Sequence, residues 1–333
     1  MKKILIGMAI MLAIAMAIPS SLAIEYQRPA AGQTAILLAF FGTSHPEAFA
    51  GINNTIRIYK AEFPDKKIAV CFTSEFIRTA IKERHNITYD NALTALAKLN
   101  DEGYTNVVVQ AIDVINGEEY DLVKDIVDTY KGMNGLLAFQ NLTLGAPLMT
   151  SEQDYIDLTK ALAHQMDNYT VGVDRTPHYS PIDHNVTASI YMGHGTPHYS
   201  NSAYSELNAF LARSYKNTWV GTVEGYPTYD DVLAELKASG VKQVRLAPLM
   251  ISAGEHALVD LTGTASEHGG AALSQPSPDS WRAKLMKEGF NVTYDLRGLA
   301  ENDQIVQIWV RHTKAALNQF TVRTPAVEYE NEG

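Results

Sequence analysis

Ala188-Ser189-Ile190-Tyr191-Met192-Gly193-His194-Gly195-Thr196 is the stretch that decides the fold of this chain. An apolar run of strand length, 188–192, breaks at once into a glycine-flanked histidine loop, and the helical pattern 202–215 follows. Strand, loop and helix therefore stand in the order of a βα unit. Two further strand-like runs end the same way. The run 218–223 enters Glu224-Gly225-Tyr226-Pro227 ahead of a helix over 229–239, and 244–251 enters Ser252-Ala253-Gly254-Glu255-His256. In an open parallel sheet, ligands bind beyond the carboxyl ends of the strands. The spacing thus predicts that His194, Glu224 and His256 converge at one sheet edge. Two imidazoles and a carboxylate suit a divalent transition metal with an open coordination position.

Working outward, the N-terminal half follows the same plan. Runs 35–41, 67–72 and 106–114 read as strands, and 47–63, 76–84, 89–102 and 118–130 as helices. Strands alternating with helical patterns imply βαβ units and a parallel sheet. The expected fold class is α/β, with two similar lobes, each a parallel sheet flanked by helices. The lobes are expected over 24–170 and 187–325, joined by a linker over 171–186 rich in Pro, Asp and His. The repeat reaches the loops. Phe41-Gly42-Thr43-Ser44-His45 mirrors His194-Gly195-Thr196-Pro197-His198, Thr73-Ser74-Glu75 mirrors Thr222-Val223-Glu224, and Gly117-Glu118-Glu119 mirrors Gly254-Glu255-His256. One copy carries imidazoles where the other carries Phe41, Glu75 and Glu119. That asymmetry suggests a cleft in which one wall holds a metal and the other shapes a substrate.

Bulk properties narrow the partners. Residues 1–23 combine a basic start at Lys2 and Lys3, an apolar run and small residues at Ser21 and Ala23. This is the pattern of a secretory signal peptide, so the mature protein is expected outside the cytoplasmic membrane, in a periplasm or its equivalent, and not as an integral membrane protein. A net charge of −10 argues against nucleic acid and anionic lipid as partners. Cys71 is the single cysteine and reads as a buried, inert thiol. No glycine-rich phosphate loop is present, so no nucleotide is expected. The acidic tail 326–333 reads as disordered.

At Gly193-His194-Gly195-Thr196, Glu224-Gly225-Tyr226-Pro227, Ala247-Pro248-Leu249-Met250, Ala253-Gly254-Glu255-His256-Ala257 and Pro278-Asp279-Ser280-Trp281, the chain resembles the CbiK-type anaerobic cobalt chelatases. These are sirohydrochlorin cobaltochelatases of the class II, ATP-independent tetrapyrrole chelatases. The resemblance runs from Thr34 to the helix near Ile305 to Leu317. It implies insertion of Co2+ into sirohydrochlorin in cobalamin biosynthesis, with His194, Glu224 and His256 as metal ligands and His194, His256 and Glu119 as catalytic groups, Glu118 being the fallback for Glu119. Three departures stand out: Asp113 occupies a position where a histidine is expected, 262–275 reads as an insertion carrying His268, and an export signal is unusual for this biosynthetic step.

Metallating a tetrapyrrole means removing two pyrrole N–H protons while a divalent ion sheds its ligands. Neutral imidazole can bind the ion or accept a proton near neutral pH, and which histidine does which is open. Glu255 could orient His256, though alternation along an extended segment turns it away. Phe41 and Tyr226, with Phe40 and Tyr120, are candidates for an aromatic wall against the ring, and Arg78 for its carboxylates; Arg245, mid-strand, is expected to be occupied structurally. His198 reads as an accessory or surface group, and Thr176-Pro177-His178-Tyr179-Ser180 echoes 196–200 without an evident reason. Fe2+ or Ni2+ could replace Co2+ at such a site, and self-association is left open. The alternative reading is an exported haem, tetrapyrrole or metal-ion binding protein on the same scaffold.

Overall fold

Strand β1 (Thr34–Phe40) is apolar after its first residue because both of its faces are covered. Ile36, Leu38 and Phe40 enter one hydrophobic core, while Ala35, Leu37 and Ala39 enter another. Continuous apolarity of this kind marks a parallel strand buried on both sides. The chain is known from a computed structural model that describes residues 32–167, 169–265 and 275–321. The expected leader, His268 with most of its insertion, and the acidic tail lie outside the described residues. Among the described residues, no helix is long and apolar enough to cross a membrane.

The first sheet sets β1 between β2 (Lys67–Phe72) and β3 (Asn106–Ile112), with β4 (Asn141–Gly145) beyond β3, all parallel. Its helices are α1 (Phe49–Glu62), α2 (Glu75–His85), α3 (Ala92–Asp101), α4 (Glu118–Lys131) and α5 (Glu152–Asp167). An antiparallel hairpin of β5 (Tyr169–Val171) and β6 (Pro177–Tyr179) leads to the second sheet. There β7 (Thr187–Gly193) lies between β8 (Thr218–Thr222) and β9 (Gln243–Leu249), with β10 (Asn291–Tyr294) beyond β9, again all parallel. Its helices are α6 (Ser202–Ser214), α7 (Tyr229–Ser239), α8 (Trp281–Lys287) and α9 (Asp303–Leu317).

The expected α/β class and two parallel sheets are therefore present. Expected strands end a residue or two early, β1 at Phe40 and β3 at Ile112, because the apolar run outlasts the ladder. β4 and β10 escaped the sequence reading. As edge strands they are only partly buried, so Asn141, Thr143, Asn291 and Thr293 interrupt any apolar run. α5 and α8 also escaped that reading, and α3 opens not at 89 but at Ala92, where Asn91 Oδ1 accepts from Thr94 N. Thr228 and Asp231 form a reciprocal capping box on α7, and Gly240 closes it with φ +76°.

Each repeat's last helix packs away from its own sheet. Tyr155, Leu158, Leu162 and Met166 of α5 join the core that holds Tyr191 and Leu207. Tyr191 Oη donates to the Leu162 carbonyl at 2.8 Å, and Arg245 of β9 donates to the Met166 and Ser180 carbonyls, so it is structurally occupied as expected. Conversely, α9 lies on the first sheet. Trp309 Nε1 donates to the Asp113 carbonyl at 3.2 Å, and Thr313 Oγ1 donates to Oε1 of the buried Gln110 at 2.9 Å. One core thus runs between the two sheets.

Asp154 binds the exchanged helices together. Its side chain is 0% exposed and accepts from the Ser151 amide at 2.8 Å, His312 Nε2 at 2.9 Å and the Arg311 guanidinium at 2.6 Å. Burial alone would raise this carboxyl, but the hydrogen bonds from His312, Arg311 and Ser151 overcome it and hold the group far below the usual range. A depressed carboxyl stabilises the fold above its unfolded value, about pH 4, and that stability drains away as pH falls. Asp154→Asn should cost about 3 kcal/mol near neutral pH by leaving its partners uncompensated. Urea titrations at several pH values should show the gap narrowing below about pH 4; a gap independent of pH would contradict the assignment.

Candidate metal and proton-transfer site

The parallel ladder continues past the ends of β7 and β8. Val223 N donates to the Gly193 carbonyl at 3.1 Å and Glu224 N to the His194 carbonyl at 2.8 Å. These bonds fix His194 and Glu224 on adjacent loops. Gly195 has φ +82°, and a Cβ there would stand 2.6 Å from the Gly225 nitrogen and 2.8 Å from Thr222 Cβ. A Cβ on Gly193 would meet the Tyr204 ring at 2.5 Å. The glycines flanking His194 are thus required by the protein's own packing, before any ligand approaches. Asn201 completes the lacing by accepting from Thr196 N at 3.1 Å and donating to the Tyr226 carbonyl at 2.7 Å.

The third loop delivers His256 to the same place. The His194 and His256 rings lie edge to face with centroids 4.7 Å apart. His194 Nδ1 is 2.7 Å from the Gly195 carbonyl, which can only accept, so Nδ1 carries the proton and Nε2 offers its lone pair. His256 Nδ1 is 2.6 Å from Asp260 Oδ2. That hydrogen bond, with the charges of Asp260, Glu224 and Glu255, raises the basicity of His256 against the opposing effect of burial. Glu224 is exposed and acts on His256 through charge. Among the described residues, no three His, Cys, Asp or Glu side chains form a ready metal cage.

The same backbone bonds recur in the first lobe with different side chains. Thr73 N donates to the Phe40 carbonyl and Ser74 N to the Phe41 carbonyl, so Phe41 is the counterpart of His194. They also correct the alignment by one residue: Ser74, and not Glu75, corresponds to Glu224, and Glu75 opens α2 instead. After the third strands, Leu148 N to Asp113 O matches Leu299 N to Met250 O, which makes Glu119 the counterpart of His256. Glu119 Oε2 accepts from Thr73 Oγ1 at 3.0 Å. Beside it, burial and then the Glu119 charge push the Asp113 carboxyl up to about 7.

The two loop edges face each other. Gly254 lies against Thr43, His45 Nε2 stands 3.7 Å from Glu255 Oε2, and His198 Nε2 stands 3.5 Å from Asp121 Oδ2. Both histidines are thus contacts between the lobes, and His198 is not the simple surface group the sequence suggested. Glu255 turns to His45 and Asp260 takes His256 instead; the segment is helical from Glu255 and not extended, so helical rotation and not strand alternation separates the two side chains. Asp260 escaped the sequence reading, although its position four residues after His256 was a usable signal once a helical turn is assumed. Phe41 and Tyr226 are exposed, as are Phe76 in the first turn of α2 and Tyr199 in the short turn ahead of α6. Phe40 is core and forms no part of a wall. Arg78 lies on α2 with its Nε buried and without a hydrogen-bond partner. Cys71 is buried and its thiol is pushed up to about 12, as an inert residue should be.

Gly195→Ala should cost about 3 kcal/mol, since a strained φ and a backbone clash add. Gly240→Ala meets open space at a similar φ and should cost only about 1 kcal/mol; equal losses in denaturant titrations would refute the loop-packing account. For Asp113, a raised carboxyl value means that stability is lost as pH rises from about 4 to about 7. Asp113→Asn should therefore raise the melting temperature at about pH 8 and leave it unchanged at about pH 4. The opposite ordering would place a compensating cation beside it.

The Cobalt chelatase (CbiK) family model matches residues 34–318. The sirohydrochlorin cobaltochelatase of Salmonella typhimurium strain LT2 is 34% identical over 285 residues, covering 85% of this chain and 96% of that protein. Sirohydrochlorin cobaltochelatase CbiKC of Nitratidesulfovibrio vulgaris strain Hildenborough is 33% identical over 288 residues, covering 85% and 90%. Among solved structures, SirB from Bacillus subtilis with Fe3+ shares the fold, with a TM-score of 0.53 at 12% identity, covering 87% of this chain and 100% of that one.

Proposed function

This chain belongs to the CbiK cobalt chelatase family, and on that premise we propose that it inserts Co2+ into sirohydrochlorin without a nucleotide. The observation that carries the reading is the edge-to-face pair of imidazoles, His194 and His256, with both Nδ1 atoms engaged and both Nε2 atoms available. The reaction replaces two pyrrole N–H protons by one divalent ion, so the site must hold a cation loosely and accept two protons. Open positions and exchangeable ligands serve the first need. His194, His256 and Glu224 hold the incoming ion with water completing its shell. Glu119 on the facing lobe, which accepts a hydrogen bond from Thr73, takes one proton from the ring, and an imidazole that the ion vacates as it passes to the ring takes the other. Phe41 and Tyr226 offer apolar faces to the macrocycle, and Arg78 offers a cation to its carboxylates.

Two further elements of the reading rest on the sequence. Fe2+ and Ni2+ suit the same donors, so availability helps decide the ion. The segment 1–23 has the build of an export leader, which would put the mature protein outside the cytoplasmic membrane. The test is anaerobic: purified protein, sirohydrochlorin and Co2+, followed by the visible absorption of the ring against a no-enzyme control. His194→Ala and His256→Ala should each reduce turnover by about 100-fold or more. Stoichiometric binding of ring or metal without turnover would overturn the reading.

A further inference from the structure

We propose that Asp260 is the positioning residue of the metal wall, acting through His256 to fix which ring nitrogen meets the ion. The inference rests on the reading of His256 as a ligand. Asp260 Oδ2 lies 2.6 Å from His256 Nδ1, a short hydrogen bond to a charged acceptor. A carboxylate on Nδ1 holds the proton there, turns the lone pair of Nε2 outward and increases its donation to a metal. His194 reaches the same tautomer through the neutral Gly195 carbonyl. Both imidazoles then present Nε2, but only one is backed by charge.

The local backbone is built for this contact. His256 opens a π-helical stretch, Ala257–Leu261, an uncommon form concentrated at functional sites. The stretch is pinned by buried Ala257 and Leu261, and Thr262 Oγ1 donates to the Ala257 carbonyl at 3.1 Å. Asp260, four residues on, is thereby brought to the Nδ1 edge of the His256 ring. The nearer carboxylate in sequence, Glu255, is turned across the cleft to His45. Asp260 also borders a hollow of about 300 Å³ lined by Tyr229, Asp230, Asp279 and Lys284, and its side chain is 37% exposed. A residue so placed supports no core, so its replacement should spare the fold.

The test measures KM for Co2+ and for sirohydrochlorin separately in Asp260→Ala, Asp260→Asn, Asp260→Glu and His256→Ala, with the visible spectrum of bound Co2+ and the melting temperature. Asp260→Ala should raise KM for Co2+ by about 10–100-fold and shift the Co2+ bands, with KM for the ring and the melting temperature unchanged. Asp260→Asn keeps an acceptor without charge and should fall between Ala and wild type; Asp260→Glu should recover most of the loss. If His256→Ala weakens Co2+ binding and Asp260→Ala does not, the inference fails alone. If Asp260→Ala lowers only the melting temperature, Asp260 is a structural residue and the inference also fails. If His256→Ala leaves Co2+ binding unchanged, the ligand reading itself is overturned.

Discussion

The exchange of terminal helices between the two sheets, held at Asp154, is the constraint on which the rest of the structure depends. A parallel sheet needs cover on both faces, and here each repeat supplies part of the other's cover. α5 lies against the sheet of β7 and β9, and α9 against that of β1 and β3. Neither lobe can therefore rotate freely while the helices remain seated. The carboxyl edges of both sheets face one another as a result. Asp154, His312 and Arg311 place a buried, fully bonded charge at the crossing, which is costly to break although not in itself a large net gain.

Within that frame, the two halves share backbone and differ in chemistry. Matched hydrogen bonds after the first, second and third strands show the same loop geometry twice. Onto it the first lobe places Phe41, Ser74 and Glu119, and the second places His194, Glu224 and His256. The sites on opposite walls are thus equivalent positions with unequal side chains: an exposed aromatic ring, a serine and a carboxylate on one side, two imidazoles and an exposed carboxylate on the other.

The electrostatics follow the same division. His256 is made more basic by Asp260, while Asp113 across the cleft is made a weaker acid by burial and by Glu119. Groups with shifted proton affinity therefore stand on both walls. The contacts of His45 with Glu255 and His198 with Asp121 join the lobes beside them, so the two walls are spaced by polar contacts as well as by the shared core.

Much of this was legible in the residues alone. The apolar runs of β1, β3, β7 and β9 determined the parallel sheets because a strand buried on both faces cannot alternate. The loops after them determined where histidine and glutamate would lie, because topology sends every such loop to the same edge. The edge strands β4 and β10 were hidden by their partial exposure. The exchange of α5 and α9 was hidden because an amphipathic helix records that it has an apolar face and not which sheet will cover it. The pairing of Ser74 with Glu224, the packing demand on Gly195 and the turn that sets Asp260 under His256 also belonged to the tertiary structure. They depend on hydrogen bonds and close approaches between segments, and local sequence carries no record of those distances.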